Sequence, residues 1–202
     1  MDSHIPNIVF GYHGCDEKVG RAVINGDTQL KPSENDFDWL GHGVYFWDGA
    51  PNRAWQFANE QKARGVLKTP FVIGAILDLK NCMDLLDVNH HQALLTTYEI
   101  MNTEFPDEME KLSNKGGKDK VLRYLDCAVF IKLHSFIQEE NDTPIDSIRC
   151  AFEEGKPSFP GSGILDKTHI QICVRNPACV KGYFLPVDEN GVVIKFNGRS
   201  LK

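Results

Sequence analysis

The chain reads as an α+β protein with a mixed sheet, and two observations predict that class. Short β-rich runs recur from residue 7 to residue 187 at uneven spacing. Three of the gaps hold a helical pattern and the others hold loops, so a regular βαβ repeat is not indicated. At 202 residues the length fits a single domain, 1–202, large enough to bury its own core.

The elements follow in order. "NIVFGY" (7–12) is the first strand, with a His-Gly pair, His13 and Gly14, where it would turn. Residues 16–25 form a short helix. "GVYFW" (43–47) is the second strand. Residues 51–64 open with Pro51 in the first turn and place Ala54, Phe57 and Ala58 at helical spacing. "PFVIGAILDL" (70–79) is a third strand. Residues 90–105 carry Leu94, Tyr98, Met101 and Phe105 on one helical face. Residues 118–137 do the same with Leu122, Leu125, Val129, Leu133 and Phe136. Strands return at "DSIRCAF" (146–152), "HIQICV" (169–174) and "KGYFLPV" (181–187). A closing hairpin is expected around "DENG" (188–191), followed by "VVIKF". Two long loops, 25–43 and 153–168, are rich in Gly, Pro, Ser and Asp and lead into strands with unusual polar residues.

Composition is that of an ordinary globular protein, with 42% hydrophobic and 25% charged residues. A net charge of -6 disfavours a broad electrostatic grip on nucleic acid. Six cysteines with no C-x-x-C pair read as reduced thiols of a cytoplasmic protein. His169, Cys173 and Cys179 fit no strong zinc spacing, so no metal is expected. No signal peptide is recognised at the start, and the longest apolar run, Phe71–Leu77, is too short to span a bilayer.

Three motifs stand out together: "YHGC" (12–15), "GHGVYFWD" (41–48) and "HIQICVRNPACV" (169–180). Singly, His13 reads as a turn or core histidine, Tyr45 as strand packing and Gln171 as a strand polar residue. In that order they resemble the ADP-ribosyltransferase superfamily, in the branch of diphtheria toxin and the poly(ADP-ribose) polymerases with its His-Tyr-Glu signature. "VIGAILDLKNCMDL" (72–85) is similar to that branch's next strand, whereas 86–145 has no counterpart and stands as a helical insertion.

The resemblance implies a split, mixed and largely antiparallel sheet with flanking helices, NAD as co-substrate, and transfer of ADP-ribose. It implies that His13 holds the adenine-side ribose. The Gly14 backbone would pair with the nicotinamide amide, where a side chain would block the approach. Tyr45 would stack on the nicotinamide ring, with Gly41 and Gly43 letting the backbone pass close to the ligand. Trp55 is the candidate second aromatic, then Trp47, with plain core packing the alternative for either.

The departure is Gln171, which stands where the family has its glutamate. A glutamine keeps the hydrogen bond to a ribose hydroxyl but supplies neither charge nor general base. Three readings stay open: mono-transfer with a weaker electrostatic contribution, entry of Glu153 or Glu154 (Asp166 a poorer choice) from the preceding loop, or NAD binding without turnover. Phe159 either stacks on an acceptor or anchors its loop to the core, and Arg149 or Lys156 could meet a phosphate. The expected protein is therefore a mono-ADP-ribosyltransferase acting on a protein or a nucleic-acid base, in the manner of a bacterial toxin or defence factor with a neutralising antitoxin and no membrane partner. The alternatives are a non-catalytic NAD-binding module and an NAD glycohydrolase.

Overall fold

The computed structural model describes residues 7–116, 121–188 and 191–194. They belong to two units: one takes the chain up to Leu30, Phe46–Asp78 and everything from Ala178, the other Lys31–Tyr45 and Leu79–Pro177.

In the first unit, β1 (Ile8–Asp16) pairs antiparallel with β3 (Pro70–Asp78) without interruption, from Ile8↔Asp78 to Asp16↔Pro70. The His-Gly pair is therefore not a turn. The apolar run of β3 offers ladder partners as far as Pro70, and β1 uses them for four residues beyond the expected end. What stops the strand is Asp16. Its carboxylate accepts from Lys18 N, which caps α1 (Glu17–Ile24), and from Lys68 N and Thr69 N. Those hydrogen bonds hold its acid below the usual carboxylate range, those from Thr69 and Lys68 foremost.

On its other side β1 meets the end of β2 (Val44–Asp48) only at Gly11↔Asp48 and Tyr12↔Trp47. β3 also pairs with β7 (Val180–Phe184), with a bulge at Ile76/Leu77. The helix α2 (Pro51–Ala63) starts on Pro51 as expected and buries Ala54 and Ala58. Trp47, Ala54 and Val72 form a small core with Tyr12, Trp55 and Phe57 around it. Beyond β7, Asp188 closes the expected hairpin: its N–H donates to Val192 O and its carboxylate accepts from Val192 N. Lys195 and Phe196 of the following run lie outside the described residues.

In the second unit a short parallel strand that the sequence did not announce, β4 (Cys82–Asp84), lies beside β5 (Ser147–Phe152). β5 pairs antiparallel with β6 (His169–Val174), from Ser147↔Val174 to Phe152↔His169. The helices α3 (His91–Glu104), α4 (Pro106–Met109) and α5 (Tyr124–Glu139) fall between β4 and β5. α5 starts later than the periodicity predicts, because Leu122 is held in a bridge to Lys115 rather than on the helix. Residues 118–120 of the predicted span lie outside the described ones. On α3 the buried stripe is Thr97 and Met101 with Leu94 at its margin, and Tyr98 and Phe105 are exposed instead. The core joins Leu40, Met83, Leu85, Phe130, Leu133, Ile148, Phe152 and Cys173. Among the described residues, seven strands, parallel between β4 and β5 and otherwise antiparallel where the pairing is described, together with these helices give an α+β architecture.

Candidate functional site

Backbone direction along β1 is set by alternation. Phe10 O accepts from Gly49 N on the β2 side, and Glu17 N donates to Thr69 O on the β3 side. Even-numbered residues therefore turn their N–H and C=O toward β2, odd-numbered ones toward β3. Gly14 is even, and the β1–β2 register has ended at Tyr12. Its two backbone groups thus leave the strand along an edge that β2 no longer pairs.

The Cβ direction of Gly14 is different. An added Cβ would sit 2.4 Å from Ala54 O and 3.3 Å from Ala58 Cβ. The packing of α2 by itself excludes a side chain here, a constraint additional to the one expected from a ligand. His13 is half-buried, with its ring 5.7 Å from that of Phe46. Trp55 packs at the margin of the Trp47 cluster and stays partly accessible. Trp47 is buried against Phe57, with ring centroids 4.9 Å apart, and its indole Nε1 has no hydrogen-bond partner. Of the two tryptophans, Trp47 is core.

In the second unit Tyr45 is bound into its own loop. Its hydroxyl accepts from Leu40 N at 2.8 Å and donates to Gly41 O at 2.6 Å. Burial pushes its pKa well above 10, so the phenol remains a donor. The loop needs Gly41 for its positive φ of 74°. At Gly43 a Cβ would lie 2.5 Å from Cys173 Sγ and 2.8 Å from Val174 O. The close neighbours at Gly43 therefore lie on β6.

Gln171 stands opposite Cys150, between His169 and Cys173 on one face of β6. That face belongs to the core, since Cys173 and Phe152 are core members and Cys150 packs against them. Gln171 is 8% exposed, and among the described residues its amide has no side-chain hydrogen bond. One pleat along, the His169 ring donates through Nδ1 to Lys167 O at 2.6 Å, and Glu154 Oε2 lies 4.0 Å from the same nitrogen. Glu154 is buried, whereas Glu153 is exposed. The structure thus distinguishes the two loop carboxylates and brings one of them to the strand of Gln171.

Around this end lie residues that the motifs did not single out. Trp39 and Phe152 are 4.7 Å apart, and the Arg123 guanidinium lies 4.4 Å and 4.9 Å from their ring centroids. Trp39 precedes "LGHG" directly, a signal that was available. Arg123 carried none, because it belongs to the segment read only as helix.

The acceptor candidates divide. Phe159 is 60% exposed, so it does not anchor its loop to the core. Arg149 Nη1 pairs with Asp84 Oδ2 at 3.1 Å across β4–β5. Asp166 Oδ1 accepts from Lys156 N and ties the loop together. Among the described residues no three His, Cys, Asp or Glu side chains cluster to hold a metal ion, and no helix is long and apolar enough to cross a membrane.

Comparison with known proteins is sparse. No family model matches the chain. It is 24% identical over 190 residues to the uncharacterized protein MJ0359 of Methanocaldococcus jannaschii, covering 84% of this chain and 83% of that protein. No solved structure matches.

Proposed function

We propose that the chain is an NAD-dependent mono-ADP-ribosyltransferase that transfers one ADP-ribose to an intracellular macromolecule, a protein or a nucleic-acid base. The observation that carries this reading is Gly14, whose N–H and C=O leave β1 beyond the last β1–β2 pair. A primary carboxamide such as that of nicotinamide offers the complementary acceptor and donor. Gln171 adds support: a buried amide without a side-chain partner suits a ribose hydroxyl, which both donates and accepts.

In the reaction the acceptor's lone pair forms a bond to the anomeric carbon of the nicotinamide ribose. Nicotinamide leaves as a neutral base with the electron pair of the broken C–N bond, and the acceptor's proton passes to a base or to solvent. Positive charge gathers on the ribose in the transition state and calls for a nearby anion. Gln171 does not provide one; in this reading Glu154, buried beside His169, supplies it. A second reading, NAD binding without turnover, is favoured by the neutral amide at position 171.

The test is incubation of the full chain with NAD labelled in the adenylate moiety and a cell extract, followed by nuclease or protease. Label in macromolecules that one of the two enzymes releases supports transfer and identifies the acceptor class. Free ADP-ribose alone would make the protein a glycohydrolase, and bound but uncleaved NAD would leave the binding module.

A further inference from the structure

Apart from the proposed NAD site, the second unit holds a cavity of about 630 Å³ formed by the last turns of α5, the segment after it and Arg175. That volume lies within the range of small-molecule sites, roughly 300–1,000 Å³. Ile131, Ile137 and Ile145 give it apolar walls, and four nitrogen-bearing side chains, His134, Gln138, Asn141 and Arg175, line it among them.

Arg175 is oriented by one hydrogen bond, from Nη1 to His42 O at 3.2 Å, and among the described residues it has no carboxylate partner. A guanidinium has five N–H donors, so most of them remain to be used. Partial burial makes an uncompensated cation costly and favours an anion beside it. His134 Nε2 is buried without a hydrogen-bond partner. Burial, with Arg175 next in effect, pushes its pKa down to about 3, so the ring is neutral and can take either hydrogen-bond role.

We propose that this cavity binds a small organic acid with an apolar body and a single carboxylate. Arg175 pairs with the carboxylate, and the isoleucines cover the body with the His134 ring beside them. A single charge is specified because there is one guanidinium, while Asp142 and the carbonyl end of α5 oppose a dianion such as phosphate.

The test is titration calorimetry of the full chain with octanoate, 1-octanol and inorganic phosphate as probes. Octanoate should bind saturably at one site, with octanol at least about 10-fold weaker and phosphate weaker still. Arg175→Gln should weaken octanoate by roughly 10- to 100-fold. Ile131→Glu, at a position 40% exposed and therefore tolerant, should weaken it at least about 10-fold even if Arg175→Gln does not fold. Absence of saturable octanoate binding, equal affinity for octanol or phosphate, or undiminished affinity in either folded variant would overturn the proposal.

Discussion

Replacing Gly14 by alanine sets two effects against each other. Gly14 has no positive φ, so the added methyl restricts the unfolded chain and contributes about 0.4–1 kcal/mol of stability. Against this, the new Cβ would sit 2.4 Å from Ala54 O and 3.3 Å from Ala58 Cβ. The first contact must open by roughly 1 Å to reach ordinary van der Waals separation. A main-chain carbonyl inside a helix cannot swing aside as a side chain can. α2 must therefore shift as a body, against the packing of Ala54 with Trp47 and Val72.

Overpacking of this kind costs about 1–3 kcal/mol, so the clash wins and Gly14→Ala should lose about 1–2 kcal/mol net. Urea unfolding would show it as a lower midpoint at unchanged slope. NAD affinity should fall in parallel, because the shift displaces both the Gly14 edge and α2. Adding Ala58→Gly should restore little, since it relieves the 3.3 Å contact and leaves the carbonyl contact. Stability of Gly14→Ala equal to or above that of the parent would refute the packing argument.

Tyr45→Phe keeps the ring but strips Leu40 N and Gly41 O of their shared partner, and should cost about 1–3 kcal/mol in urea unfolding. Tyr45→Ala would also remove core packing, so the phenylalanine variant is the cleaner probe of NAD binding. Gln171→Glu should raise NAD cleavage if charge is the missing element; an unchanged rate, together with loss of cleavage in Glu154→Gln, would assign the charge to Glu154. His134 titrates near 6.5 when unfolded but only near about 3 when folded, so the unfolded chain binds the extra proton and stability falls as pH drops through that window. Between pH 7 and pH 5 this contributes a loss of about 2 kcal/mol, which His134→Phe should abolish; the same pH slope in both proteins would exclude His134 as its source.

Much of the framework was legible because period and punctuation agreed. Pro51 opens α2, and the β3 run is a strand for all but its last residue. The misses have local causes. β4 is three residues long and gains its place only by pairing with β5, a partner far along the chain. α5 lost its expected first turns to the Lys115–Leu122 bridge, a tertiary pairing that no helical period announces. Within the site, the polar positions were found by motif, but Trp39, Arg123 and His169 assemble only through the pairing of β5 with β6 and the packing of the loop.

Gly14 and Gly43 are demanded by packing against α2 and β6, so neither glycine by itself argues for a ligand. Packing and binding use different directions at Gly14, however, because its Cβ points at a helix while its backbone groups run along the strand edge. Gln171 is the stronger discriminator. Its neighbours on that face, Cys150, Cys173 and Phe152, belong to or pack against the apolar core, the two thiols also donating to main-chain carbonyls. The Gln171 amide nitrogen and oxygen keep a little solvent access, since neither is among the fully buried side-chain atoms without a partner. A hydroxyl-bearing ligand reaching that amide would give it hydrogen bonds that no side chain of the described residues supplies. Stabilisation of the parent by NAD, with none for Gln171→Leu, is the result this argument requires, and an equal response in both would transfer the binding role to other residues.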